Sequence, residues 1–135
     1  MKIILDAMGG DNAPAAILKG AAAATADWPD VEILAVGDAE KIAACVKENA
    51  IEMKNIEIVN ATEVIEMCDE PAKAVRAKKD SSMVVGLRML AEGKGDAFVS
   101  AGSTGALHVG ASLIVRTVKG VKRPALATVI PGKTP

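Results

Sequence analysis

Ala97-Phe98-Val99-Ser100-Ala101-Gly102-Ser103-Thr104-Gly105 is the stretch on which the reading of this chain turns. Ala97-Phe98-Val99 reads as a buried central strand and Ala101 to Gly105 as a tight turn. From Ala106, with Leu107, Ala111, Leu113, Ile114 and Val118, the spacing predicts a helix to about Val118 packed on a sheet. A helix start offers N–H groups without intrahelical partners and the positive end of the helix dipole. With hydroxyl side chains beside it and no carboxylate, such a start suits an oxyanion or a phosphate. The functional centre is expected here.

The chain on either side alternates between two periods. Lys2 to Leu5 reads as a strand that enters the loop Asp6-Ala7-Met8-Gly9-Gly10-Asp11-Asn12-Ala13-Pro14. A helix through Ile17, Leu18, Ala21 and Ala22 then ends near Trp28-Pro29. Val31 to Val36 is the second strand, Ala39 to Asn49 a helix with Ile42, Cys45 and Val46 on one face, and Ile56 to Val59 the third strand. Between Asn60 and Lys79 the pattern weakens, and Glu63 to Pro71 reads as a long connection before a short basic helix. Asp80-Ser81-Ser82 supplies N-cap chemistry for a helix carrying Met83, Val84, Leu87 and Leu90, stopped by Gly93. Ala125 to Ile130 is expected as a fifth strand.

Strands that are apolar throughout, separated by amphipathic helices, predict a mainly parallel sheet in a three-layer α/β/α arrangement, with residues 1–135 forming one domain. Ligands in such sheets bind beyond the carboxyl ends of the strands. The loops at Gly9-Gly10 and at Gly102 to Gly105 then face one crevice if their strands are neighbours.

Composition narrows the function classes. Half of the 135 residues are hydrophobic, yet Trp28 and Phe98 are the only aromatics, so stacking platforms for nucleic-acid bases are lacking. A net charge of −1 gives no overall pull toward nucleic acid. After Asp96 every charged side chain is basic: Arg116, Lys119, Lys122, Arg123 and Lys133, which reads as a helix end and exposed loop or as a surface for an acidic partner. Cys45 and Cys68 lack Cys-x-x-Cys spacing and His108 is the only histidine, so no metal site is expected. Asp6 interrupts the first apolar run before a secretory segment can form, and a cytoplasmic location is expected.

Several ordered motifs together resemble the bacterial phosphate acyltransferase (PlsX) family. They are Asp6-Ala7-Met8-Gly9-Gly10-Asp11 with Pro14; Val64-Ile65 leading to Pro71 and Arg76; Asp80-Ser81-Ser82-Met83; Val99-Ser100-Ala101-Gly102 with Thr104-Gly105-Ala106-Leu107; and Arg123-Pro124-Ala125-Leu126. The resemblance covers essentially the whole chain and is to the N-terminal portion of the family, whose chains continue further. It implies a cofactor-free enzyme that converts an acyl carrier protein thioester and inorganic phosphate into an acyl phosphate for phospholipid synthesis. It also implies a homodimer, an isocitrate/isopropylmalate dehydrogenase-like (phosphate acetyltransferase-like) fold, and peripheral membrane association through the part of the family's chain that follows. Ser103 stands where the family commonly has Asn.

That chemistry is attack by a phosphate oxygen on a thioester carbonyl, which needs the anion held in line and the developing oxyanion met by donors. Gly102, Ser103, Thr104 and Gly105 are the anion-binding candidates, with Thr104 a hydroxyl donor and Ser100 beside them. Asp6 and Thr104 are the catalytic candidates. For Asp6 and Asp11, orienting a hydroxyl or capping the loop is preferred over contact with phosphate, because two anions repel. Gly9 and Gly10 serve close backbone approach. Lys73 and Arg76 share a helix face, and Arg76 is the member that the resemblance favours. Two other readings stand beside this one: a non-catalytic α/β binding or dimerisation unit, and a nucleotide-dependent dehydrogenase-like domain, which the absence of Gly-x-Gly-x-x-Gly in the first loop disfavours.

Overall fold

The computed structural model describes residues 1–129 and Gly132. Four strands, β1 (Lys2–Asp6), β2 (Glu32–Gly37), β3 (Ile56–Asn60) and β4 (Ala97–Val99), form one sheet in the order β3-β2-β1-β4, every neighbouring pair parallel. Five α-helices lie between and after them: α1 (Ala15–Asp27), α2 (Ala39–Asn49), α3 (Pro71–Ala77), α4 (Ser82–Ala91) and α5 (Thr104–Gly110). The α/β architecture expected from the alternating periods is present.

Parallel strands covered on both faces need apolar side chains pointing both ways. Ile4, Leu34 and Val36 pack beneath α4 with Val85, Met89 and Phe98, whereas Ala35, with Ile56 and Ile58, packs on the other face against Leu18 of α1 and Ile42 and Cys45 of α2. Ile3, Leu5 and Ile33 meet Ala21 and Ala24 on that same face. The strands therefore read as continuous apolar runs rather than alternating ones. Helices α3 and α5 join α4 in a further cluster around Val75, Met83, Leu87 and Ala106.

Helix starts are fixed by local chemistry. The Asp38 carboxylate caps α2 by accepting from the N–H groups of Glu40 and Lys41, and Glu70 does the same for α3, where Pro71 takes the first position. Ser81 caps α4 and Ser103 caps α5. The connection from Asn60 to Lys79 is tied down by polar groups. Asp80 accepts from the Thr62 hydroxyl and N–H, Glu63 accepts from the Asp80 N–H, and Lys78 donates to Asp69 and to the Val64 carbonyl. The Lys78 hydrogen bond holds the Asp69 carboxyl below its ordinary value, and the same bond raises the lysine.

Three expectations need correction. Ala97–Val99 is neither central nor buried, since it pairs with β1 alone and leaves Val99 48% exposed at the sheet edge. The helix after the glycine turn does not stay α-helical to Val118: it passes into a π-helical turn, Ala111–Val115, in which the Arg116 N–H reaches back to the Ala111 carbonyl. Ala125 to Val129 form no strand and are exposed, and the outer edge of β4 is left unpaired; Ile130 lies outside the described residues.

Candidate functional site

The strand order reverses once. β1, β2 and β3 step outward in one direction, and β4 then returns to the opposite side of β1. Helices α1 and α2 consequently cover one face and α3, α4 and α5 the other. Loops leaving two adjacent strands toward opposite faces part from each other, and the gap beyond their carboxyl ends is where open α/β sheets hold ligands. Here that gap lies between β1 and β4, whose ends carry the two glycine loops.

Register accounts for the contact at its floor. Leu5 pairs with Val99, so the next residues, Asp6 and Ser100, stand side by side although 94 positions apart in sequence. Side-chain alternation turns both toward the face that Ile4 and Phe98 occupy. The Ser100 hydroxyl donates to Asp6 Oδ2 at 2.7 Å, and Ser100 Oγ accepts from the Gly102 N–H at 3.0 Å. Asp6 Oδ1 accepts from the Met8 N–H at 3.2 Å. Asp6 is 2% exposed, a burial that its hydrogen bonds make tolerable.

The glycines of the first loop serve close approach, in this case to the second loop. A Cβ on Gly9 would stand 2.6 Å from Asp6 Oδ2 and 2.9 Å from both Gly102 N and Ser100 Oγ. Gly10 has φ +103°, and its Cβ would meet the Ala101 carbonyl at 3.1 Å. The two loops are thus in contact beyond the carboxyl ends of β1 and β4.

At the rim, the Ser103 hydroxyl accepts from the Ala106 N–H at 3.3 Å, and the Ser103 carbonyl accepts from Leu107. Among the described residues no hydrogen bond engages the N–H groups of Ser103, Thr104 or Gly105, and Thr104 and Gly105 are exposed. Thr104 is therefore placed with its hydroxyl and backbone donor at the open start of α5. The Gly102 N–H, by contrast, is already taken by Ser100. Serine is among the residues that cap helices best, and Ser103 serves as the cap of α5.

The remaining candidates lie further out. Asp11 is exposed in the turn before α1. Gly105 packs under Pro71, whose Cγ a Cβ there would meet at 2.9 Å, while Gly110 lies near Val75, so α3 and α5 run start to start. Arg76 sits toward the far end of α3 from Pro71, roughly 7 Å along the axis, exposed like Lys73. The site's approach to Pro71 was missed by sequence reasoning; the pairing of a proline at one helix start with a glycine at another was its only signal. His108 lines a pocket of about 410 Å³ with Leu107, Arg116 and Val118, away from the turn. The basic residues Arg116 to Arg123 are exposed, and Lys133 lies outside the described residues. Among the described residues, no group of three His, Cys, Asp or Glu side chains is placed to hold a metal ion, and no helix is long and apolar enough to cross a membrane.

Fold and site together define an α/β protein whose two glycine loops meet at the switch point of a parallel sheet. The model of the fatty acid synthesis protein family matches residues 1–134, and the chain belongs to that family. It is 50% identical over 131 residues to a phosphate acyltransferase of Bacillus licheniformis, covering 97% of this chain and 38% of that one. Over 133 residues it is 52% identical to a phosphate acyltransferase of Caldicellulosiruptor bescii, covering 98% of this chain and 40% of the relative. The phosphate acyltransferase of Acetivibrio thermocellus is 47% identical over 133 residues, 98% of this chain and 39% of its own length. The chain thus spans 38% to 40% of these relatives.

Proposed function

We propose that this chain supplies the phosphate-binding α/β portion of an acyl-[acyl carrier protein]:phosphate acyltransferase in phospholipid synthesis. The observation that carries the reading is the open start of α5, where the N–H groups of Ser103, Thr104 and Gly105 and the Thr104 hydroxyl have no hydrogen-bond partner among the described residues and Thr104 and Gly105 are exposed. A phosphate seated there presents an oxygen to the thioester carbonyl carbon. The new C–O bond forms, the carbonyl electrons move to oxygen, and collapse of that oxyanion breaks the C–S bond. The carrier thiolate leaves and takes up the proton given up by phosphate. No covalent enzyme intermediate and no cofactor enters this balance. One oriented donor to the developing charge is worth about 10²–10³ in rate. A homodimer, a cytoplasmic location and peripheral contact with the membrane belong to the same proposal.

Thr104→Val tests it. The substitution keeps the shape and removes one hydroxyl, and an about ten-fold higher KM for phosphate is expected with an unchanged melting temperature. An unaltered dependence of rate on phosphate overturns the role of Thr104.

A further inference from the structure

We infer that Asp6 is a positioning residue for the phosphate site, acting through Ser100 on the turn that leads into α5 and not touching the anion. This rests on the phosphate reading of the α5 start and states how that start is held in place.

Proton bookkeeping fixes the direction of every bond in the cluster. The Ser100 hydroxyl gives its single proton to Asp6 Oδ2 at 2.7 Å. The Ser100 lone pairs are then free to accept the Gly102 N–H at 3.0 Å. The other carboxylate oxygen accepts from Met8 at 3.2 Å. One buried group therefore ties the first loop, through Met8, to the second, through Ser100 and Gly102. Ser100 and Gly102 have no donor left for phosphate, which leaves the anion to the donors of Ser103, Thr104 and Gly105.

Gly9 seals the arrangement. Its Cα lies against Gly102, and a side chain there would collide with Asp6, Ser100 and Gly102 together. With Asp6 2% exposed beneath it, a phosphate has no approach to the carboxylate. Asparagine replaces the group only in part: with Oδ1 on the Met8 N–H, its Nδ2 donates to Ser100 Oγ, so the charge-assisted bond becomes a neutral one and the Ser100 hydroxyl proton loses its acceptor.

The test is a titration of the protein with inorganic phosphate, followed by the backbone amide signals of Thr104 and Gly105. It compares the wild type with Asp6→Asn, Ser100→Ala, Ser100→Thr and the double variant Asp6→Asn/Ser100→Ala. Each of the first two singles is expected to weaken phosphate about ten-fold, the scale of one charge-assisted hydrogen bond. The double variant should be no weaker than either single within about two-fold, since both remove one linkage. Ser100→Thr should restore binding to within about three-fold of wild type, and hydrogen exchange at Gly102 should be slow in wild type and Ser100→Thr but fast in the other variants. Losses that multiply in the double variant, or Asp6→Asn binding phosphate as tightly as wild type, overturn the inference. If the wild type itself shows no phosphate response, the phosphate reading fails. Gly102 exchange then decides the linkage alone: unchanged protection in Asp6→Asn and Ser100→Ala refutes it, and lost protection in both upholds it.

Discussion

At Gly9 a single methyl group would stand 2.6 Å from a carboxylate oxygen and 2.9 Å from a backbone nitrogen. The nitrogen belongs to the backbone and the carboxylate is buried and held by two hydrogen bonds, so relieving the clash disturbs one or the other. Gly9→Ala is expected to destabilise by about 1–3 kcal/mol. Gly20, exposed in the interior of α1 with nothing within 4 Å of its Cβ position, provides the opposite sign, and Gly20→Ala should stabilise by about 0.5–1 kcal/mol. Chemical unfolding of the two variants checks both directions. From sequence, Gly9 and Gly10 were readable as places of close backbone approach, because little else explains paired glycines after a strand. What they approach was not readable. The capture of the Gly102 N–H by Ser100 depends on one side-chain rotamer and on the register Leu5 to Val99, and neither is written in local spacing.

Among the elements, α2 was legible to the residue, since Ile42, Cys45 and Val46 recur at helical spacing, and the structure adds Asp38 as its cap. The Asp38 carboxyl is held below its ordinary value chiefly by the Lys41 N–H, with burial opposing and the Lys41 ammonium assisting. A folded value below the unfolded one means that the stabilisation is complete above the unfolded value of about 3.9 and is lost as pH falls through the lowered folded value. Asp38→Asn keeps a capping oxygen without the titration. The wild type should therefore lose more stability than the variant between about pH 5 and the acid limit, as read from melting temperatures across that range. Legibility failed at Ala125 to Val129 for the complementary reason. Threonine and valine suit a pleated surface, but a strand is made only by pairing, and Ala125 to Val129 do not pair with the open outer edge of β4.

For the molecule as a whole, the sheet order was not derivable from periodicity, which identifies strands without ordering them. The crevice between the glycine loops was conditional on β1 and β4 being neighbours, and they are. The same topology leaves Val99 exposed beside a trough of about 320 Å³ lined by Ile3, Leu5, Ile17, Gly20 and Ala24. An apolar edge strand is a template for further strands. Val99→Lys is accordingly expected to lower concentration-dependent association of this chain, measured by sedimentation velocity, with little change in melting temperature.

The reversal of strand order also has a bearing on synthesis. Three of the four strands and their helices lie within the first sixty residues and can pair as they leave the ribosome, whereas Asp6 waits for a serine 94 positions later. Closing so long a loop is entropically costly, and contacts of that span form late. A nascent chain halted before residue 100 would thus carry three of the four described strands and none of the proposed anion donors, so that competence to bind phosphate would mark the arrival of β4.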